Sequence, residues 1–127
     1  MAIVGIGTDI VRVERFQRFI ERQEDALLKR LFTEGELSYS LPRKSAAQHL
    51  AARFAAKEAF VKALGLGLRD GITWQDMEVR NDDLGCPSLY LTGRAAEIVL
   101  QRTLTTPYLS YSHEQEYAVA TVVLERE

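Results

Sequence analysis

The sequence has 127 residues, of which 46% are hydrophobic and 27% charged, and its formal net charge is −2 at pH 7. The length suits one domain with a single core, and the nearly balanced charge excludes a strongly basic nucleic-acid binder. With one cysteine and two histidines, neither an intrachain disulfide nor a Cys/His metal site is expected. We therefore expect a reducing, cytoplasmic setting. Because Asp9 interrupts the apolar start of the chain, we predict neither a signal peptide nor a membrane span.

The first predicted element is a strand, because "IVGIGTDIVRV" is rich in β-branched side chains. Helical spacing follows in "ERFQRFIERQ" and again in "EDALLKRLF". Thr33 and Glu36 then have the spacing of a capping box, which predicts a short helix that ends before Pro42.

The longest predicted element is a helix that runs to Leu64. Ser45 and Gln48 have the spacing of a second capping box at its start. Gly65 follows, and glycine is the residue best suited to the left-handed conformation that ends many helices. At 1.5 Å per residue this helix would be about 30 Å long, enough to cross the domain.

The remainder of the chain is predicted to be mostly strand. The segments "WQDMEVRND" and "PSLYLT" indicate a hairpin around a "DLG" turn, and a helix is predicted from Gly93 or Arg94 to Leu104. Two more strands follow in "YLSYSH" and "EYAVATVVL", and the last is apolar on both faces, as in a central strand. Together the elements predict one α+β domain over residues 1–127, an antiparallel sheet packed against a long central helix.

Asp9 is the first candidate functional residue. Alternation along the strand places it on the same face as Gly5 and Gly7. Glycine weakens a strand and is tolerated where a ligand or another backbone approaches closely. Two interpretations stay open: the glycines accommodate the long helix, or they clear space for a ligand beside Asp9.

Glu58 is the second candidate, because it lies on the flank of the apolar stripe of the long helix, about 80° from Leu50. A carboxylate there must be paired, hydrogen-bonded, protonated or bound to a metal. One solution is an ion pair with Lys62, four residues later in the favourable order. The other is that Glu58 and Asp9 hold Mg²⁺, which takes one or two carboxylates and completes its shell with water and phosphate oxygens.

Several segments together resemble the holo-acyl-carrier-protein synthase family of small-subunit 4'-phosphopantetheinyl transferases. They are "GIGTDIVRVERF", "RFAAKEAFVKALGLG", "WQDMEVRND", "GCPSL" and "SYSHEQEYAVATVVLE". The resemblance implies transfer of the phosphopantetheine arm of coenzyme A to a serine of apo-acyl carrier protein, with Mg²⁺ as cofactor, in fatty acid biosynthesis. It also implies a homotrimer whose active sites are shared between neighbouring subunits.

Carried over by position, the resemblance assigns Asp9 and Glu58 as metal ligands and Lys62 as a catalytic residue that stabilises phosphate charge. It assigns the coenzyme A contacts to Arg53, Lys57, Lys62, Gly65 and His113. Two of these keep structural alternatives. Lys57 falls inside the apolar stripe by angular count, so its stem would also fit a snorkelling position. His113 would also fit as a strand-end histidine bonded to the backbone.

The first helix carries a basic stripe of Arg15, Arg18 and Arg22 beside an apolar one, with its glutamates predicted away from the arginines. The resemblance places Arg15 and Arg22 at docking positions for the acidic carrier protein, and Arg18 joins them by its angular position. A solvated charged face is the alternative explanation of this stripe.

Two other functions remain open. Another Mg²⁺-dependent phosphate enzyme, such as a nucleotide phosphohydrolase, would use the same carboxylates and lysines without a protein acceptor. A non-catalytic carrier-binding module would keep the arginine stripe and need neither Asp9 nor Glu58.

Overall fold

A computed structural model describes all residues, 1–127, as five strands and five α-helices. In chain order the elements are β1 (Ala2–Arg12), α1 (Val13–Glu21), α2 (Asp25–Leu31), α3 (Glu34–Ser40), α4 (Ala46–Leu64), a 3-10 turn (Trp74–Asp76), β2 (Met77–Asn81), β3 (Pro87–Leu91), α5 (Gly93–Gln101), β4 (Tyr108–His113) and β5 (Tyr117–Arg126). The predicted elements occur in the predicted order, and the α+β class is confirmed. No helix is both long enough and apolar enough to cross a bilayer.

The strands form two antiparallel sheets instead of the single sheet expected. One sheet has the order β1-β5-β4, with β5 in the centre, and the other is the β2-β3 hairpin. The central position of β5 confirms the prediction made from its apolar faces. The two sheets share no backbone ladder. A side-chain hydrogen bond joins them instead, in which the Asn81 amide donates to the Tyr111 hydroxyl at 2.9 Å.

Helix α4 lies against the inner face of the larger sheet and forms the centre of the core. Of its 19 residues, 13 are buried, so it packs on nearly all sides, whereas a surface helix buries one stripe. Gly65 ends it with φ at 81°, in the predicted left-handed conformation.

The two predicted capping boxes have different outcomes. The Thr33 side chain accepts the Glu36 N–H and the Glu36 carboxylate accepts the Thr33 N–H, so the first box is confirmed. The second is wrong, because the Ser45 side chain makes no capping hydrogen bond. Gln48 instead turns toward strand β4, where its Oε1 lies 2.9 Å from Nδ1 of His113.

The glycines of β1 allow the backbones of β1 and α4 to touch. A Cβ on Gly7 would lie 1.9 Å from the Ala59 carbonyl oxygen, and one on Gly5 would lie 2.3 Å from that of Ala63. The structure therefore supports the interpretation that these glycines accommodate the helix. The same close approach carries Asp9, two residues further along β1, toward the last turns of α4.

Helix α5 ends at Gln101, three residues before the predicted Leu104. Thr103 has a left-handed backbone with φ at 54°, which terminates the helix. Leu104 then forms an isolated bridge with Arg126 of β5, so it belongs to the edge of the larger sheet.

Candidate active site

Asp9 and Lys62 form a direct ion pair where β1 meets the last turn of α4. Lys62 Nζ lies 2.8 Å from Asp9 Oδ1 and also donates to the Thr8 carbonyl oxygen at 3.2 Å. The Asp9 side chain is 15% exposed and that of Lys62 is 50% exposed. The hydrogen bond to Asp9 raises the pKa of Lys62, so this ammonium stays charged and keeps one further N–H free.

Glu58 is close to this pair but is bonded to neither member. Its carboxylate makes no hydrogen bond or ion pair, and the predicted alternative of a pair with Lys62 is not formed because Lys62 bonds Asp9. Burial raises the pKa of Glu58 first, and the charge of Asp9 raises it further, while Lys62 and Arg15 partly oppose both effects. Two neighbouring carboxylates, one of them unpartnered, form an arrangement that a divalent cation would stabilise.

The donor set can be compared with the needs of different metals. No group of three or more His, Cys, Asp and Glu side chains could hold a metal ion, which does not fit the three or four protein ligands that zinc usually takes. Two carboxylates do fit Mg²⁺, which prefers oxygen ligands and keeps several water or phosphate oxygens. We refer to Asp9, Glu58 and Lys62 as the carboxylate cluster.

The predicted coenzyme A residues Arg53 and His113 lie elsewhere, between α4, β2 and β4. Arg53 donates to Asn81 Oδ1 at 2.5 Å and to the His49 carbonyl oxygen at 3.2 Å. His113 lies on β4, which is separated from β1 by β5. Two strand spacings amount to roughly 10 Å, so one chain does not bring His113 together with Asp9, and Arg53 is bonded to Asn81 of β2 instead.

The structure corrects the assignment of Lys57 as a coenzyme A contact. Its side chain is fully buried and pairs with Glu36 at 2.6 Å. The same ammonium donates to the carbonyl oxygens of Leu31 at 2.9 Å and Trp74 at 3.2 Å, so its three N–H groups are all used. Burial lowers the pKa of Lys57, and Glu36 opposes that shift. The position contradicts a contact with coenzyme A, and it also contradicts snorkelling.

The arginines of α1 are exposed, but they differ in their partners. Arg15 lies over the ring of Phe54 on α4, 5.4 Å from its centroid. Arg18 pairs with Glu14 at 2.7 Å, so the prediction that the glutamates lie away from the arginines is wrong for Glu14. Arg22 is the C-cap residue of the helix and forms no ion pair.

Sequence reasoning missed His49, which lies beside His113. The centroids of the two rings are 5.4 Å apart. His49 stands four residues before Arg53 on α4, and this spacing on one helix face was the available signal. Gly65 borders open space, because a Cβ placed on it would have no atom within 4 Å. Its contact with coenzyme A stays a prediction.

Comparison with known proteins gives the family of the chain. Residues 5–122 match the 4'-phosphopantetheinyl transferase superfamily. The chain belongs to this superfamily. The matched range includes the carboxylate cluster, helix α4 and His113, so the candidate site lies within the phosphopantetheinyl transferase domain.

Relatives within the superfamily match almost end to end. The chain is 55% identical to the holo-[acyl-carrier-protein] synthase of Geobacter sp. strain M21 over 98% of this chain and 99% of that protein. It is 46% identical to the same-named protein of Vibrio vulnificus strain CMCP6, over 98% and 99% of the two chains.

Solved structures of such proteins share the fold. The structure of the Neisseria meningitidis holo-[acyl-carrier-protein] synthase has a TM-score of 0.89 and 34% identity, covering 98% of this chain and 100% of that one. The Bacillus anthracis enzyme, solved in complex with CoA (3',5'-ADP), has a TM-score of 0.81 and 37% identity, covering 98% of both chains.

Proposed function

We propose that the protein transfers the 4'-phosphopantetheine group of coenzyme A to a serine of apo-acyl carrier protein and releases adenosine 3',5'-bisphosphate. The observation that carries this proposal is the carboxylate cluster, which lies in a chain 55% identical to a holo-[acyl-carrier-protein] synthase. The setting we propose is fatty acid biosynthesis in the cytoplasm.

Asp9 and Glu58 would hold Mg²⁺ in this reaction. When bound, the ion supplies positive charge to the pyrophosphate oxygens of coenzyme A. Lys62 is already anchored by Asp9 and Thr8, so its remaining N–H can donate to a phosphate oxygen as charge develops there. The serine nucleophile belongs to the carrier.

Either Glu58, acting through a water, or a water held by the cation would accept the serine proton. In the free chain, burial and Asp9 raise the pKa of Glu58, whereas a cation bound to its carboxylate would lower that pKa. A base must also lie close to the proton that it accepts. Glu58 is one helical turn after Phe54 on α4, and Arg15 lies over the ring of Phe54. A carrier that docks on Arg15 would therefore lie close to Glu58.

The proposed partner surface is the exposed arginine stripe of α1. Arg15 and Arg22 have no acidic partner in the chain, so both can pair with acidic side chains of a carrier protein. Arg18 is partly neutralised by Glu14 and would contribute less. The contact is one of charge complementarity, because the carrier is acidic.

The proposed assembly is a homotrimer with shared sites. Arg53 and His113 lie away from Asp9 and Glu58 within one chain, so a neighbouring copy would bring its own Arg53 and His113 to the carboxylate cluster. The outer face of the larger sheet supports association, because no helix covers it and it exposes Ile6 at 62%, Ile10 at 64% and Val119 at 37%. Burying such side chains is favourable.

Mass spectrometry tests the activity directly. The protein is mixed with apo-carrier, coenzyme A and Mg²⁺, and the carrier should gain the mass of the phosphopantetheine arm, whereas a chelated control should not. Release of adenosine 3',5'-bisphosphate without any carrier would favour a nucleotide phosphohydrolase. Asp9→Ala should abolish transfer and leave carrier docking intact, and no mass gain on any apo-carrier would overturn the proposal.

A further inference from the structure

Four basic side chains meet between α3, α4 and β4, and we call Arg43, His49, Arg53 and His113 the basic cluster. Tyr39 of α3 lies at its centre. The His49 ring is 5.7 Å from the Tyr39 ring, and the guanidinium carbons of Arg43 and Arg53 lie 3.5 Å and 4.3 Å from the centroid of that ring. With the two imidazole centroids 5.4 Å apart, the four groups share one small region.

No carboxylate neutralises this cluster. Three acidic groups on the neighbouring segments are engaged elsewhere. Glu36 pairs with Lys57, Glu78 bonds Thr33 and Arg80, and Glu114 accepts the Glu116 N–H.

Arg53 is the most buried charged member of the basic cluster. The residue is 1% exposed and its Nε has no hydrogen-bond partner. A buried guanidinium without a counter-ion is unfavourable, and this points to an anion that completes the site.

Their surroundings shift both histidines toward the uncharged form in the free chain. Burial lowers the pKa of His113 and Arg53 lowers it further. Burial also lowers the pKa of His49, with added contributions from Arg53, His113 and Arg43. The Gln48 oxygen faces His113 Nδ1 at 2.9 Å. If that nitrogen carries the proton of the neutral ring, Nε2 is left as the acceptor that can take another.

We propose that the His49–His113 pair takes up a proton when a phosphate monoester binds at the basic cluster, so that anion binding and imidazole protonation are coupled. The inference rests on the proposed function, in which the 3'-phosphate of coenzyme A is such a monoester. The phosphate supplies the negative charge that the cluster lacks, and an imidazolium donates a charge-assisted hydrogen bond to it. The proton comes from solvent, and no covalent bond changes.

A consequence is that the ligand binds more tightly as the pH falls below neutrality. Uptake of one proton corresponds to a gain in affinity of at most about tenfold per pH unit. The gain stops where the phosphate itself becomes protonated, near its second pKa of about 6.

Nuclear magnetic resonance tests the coupling, because the chain has only two histidines and therefore two imidazole signals. His49→Gln assigns them. The pH titration of both signals is recorded for the free protein and with adenosine 3',5'-bisphosphate, dephospho-coenzyme A or inorganic phosphate. We expect adenosine 3',5'-bisphosphate to move at least one midpoint to higher pH, and dephospho-coenzyme A, which lacks the 3'-phosphate, to move neither. If inorganic phosphate alone gives the full shift, the site binds the free anion.

Unchanged midpoints at saturating adenosine 3',5'-bisphosphate would overturn the inference. Calorimetry in two buffers of different ionisation enthalpy provides a second measurement. The wild type should take up protons on binding, His49→Gln should take up fewer, and Gln101→Ala, at the distant end of α5, should match the wild type.

The outcomes separate this inference from the proposed function. Transfer to the carrier without any shift in the histidine midpoints would remove the coupling and keep the transferase. A shift without transfer to any carrier would keep the anion site and remove the transferase.

Discussion

Glu58 and Asp9 are neighbouring carboxylates with different surroundings, and their roles follow from that difference. Asp9 is bonded by Lys62 at 2.8 Å, whereas Glu58 has no partner and a pKa raised by burial and by Asp9. A raised pKa means that the ionised form of Glu58 is disfavoured in the folded chain. The strain is electrostatic, and a bound cation would relieve it.

Replacing Glu58 by Gln should therefore separate stability from function. Because the repulsion of Asp9 is removed, the Tm measured without divalent cations should equal or exceed that of the wild type, while transfer should fall by about 100-fold or more. Asp9→Asn is the matched control, since it also loses the ion pair with Lys62 and should gain no stability. A clear drop in Tm for Glu58→Gln would contradict this account.

Lys57→Met tests the buried ion pair. Removing the ammonium leaves Glu36 buried and charged, so the free energy of unfolding should fall by about 3–5 kcal/mol. Lys62→Met on the same helix is the control, because an exposed ion pair of this kind contributes about 0–1 kcal/mol, yet its loss should impair transfer. Urea unfolding measures both. Unchanged stability together with a raised KM for coenzyme A would show instead that Lys57 contacts coenzyme A.

At the scale of elements, helix α4 determines the arrangement of the molecule. One side touches β1 through Gly5 and Gly7, and another buries Arg53 and Lys57. The charged residues of the "RFAAKEAF" segment therefore serve three regions: the core, the carboxylate cluster and the basic cluster. A helix buried on nearly all sides has no single polar face, so each of its charges needs its own partner.

Two similar substitutions, at the N-termini of α3 and α4, should differ in their effect on stability. Thr33→Ala removes a side chain that caps α3 and also bonds Glu78, so it should cost about 1–2 kcal/mol. Ser45→Ala removes no capping hydrogen bond and should leave stability nearly unchanged. Chemical denaturation of the two variants compares them, and equal losses would show that Ser45 does cap α4.

On α1, charge reversal tests the arginines that are proposed to bind the carrier. Arg15→Glu should weaken carrier binding and make it less dependent on salt, because a long-range attraction becomes a repulsion. Arg18→Glu should have a smaller effect, since Glu14 already neutralises Arg18. The KM for the carrier is measured at two ionic strengths. Unchanged carrier kinetics for Arg15→Glu would exclude α1 as the docking helix.

For the whole molecule, the uncovered face of the larger sheet is the most distinctive property. Ile6 and Ile10 are 62% and 64% exposed, although strand residues of this type are usually buried. On the opposite face of the strand, which packs against α4, Gly7 and Val11 are buried. Because the sheet has apolar residues on both faces, its outer face is also suited to being buried in an interface. We propose that another copy of the chain packs against it.

Ile6→Glu should consequently dissociate the assembly without unfolding the chain. A charge on this face would be buried in the interface and would be unfavourable there, while the exposed position in one chain tolerates it. Analytical ultracentrifugation should show a smaller species with a normal circular dichroism spectrum and reduced transfer. Leu84→Glu, at a hairpin tip that is 94% exposed, is the control. A monomeric wild type would contradict the shared-site assembly.

The parts of the site that could be predicted are those that interrupt a local pattern. Asp9 follows two glycines on an apolar strand, and Glu58 stands at the edge of an apolar helix stripe. The structure places both where β1 meets α4, with Lys62 bonded to Asp9. Lys57 and His49 could not be placed in this way, because their partners, Glu36 of α3 and His113 of β4, lie on other elements that meet α4 only after folding.

The sequence by itself determined the order and type of the elements, the first capping box, the Gly65 terminus and the central position of β5, because each depends on residues a few positions apart. Only the tertiary structure decided which partner each charge takes: Glu36 for Lys57, Asp9 for Lys62, and no carboxylate for Arg53. It also decided that Gln48 meets His113 instead of capping α4. These choices depend on the distances between elements that meet only after folding, and a pattern with a period of two or 3.6 residues holds no information about them.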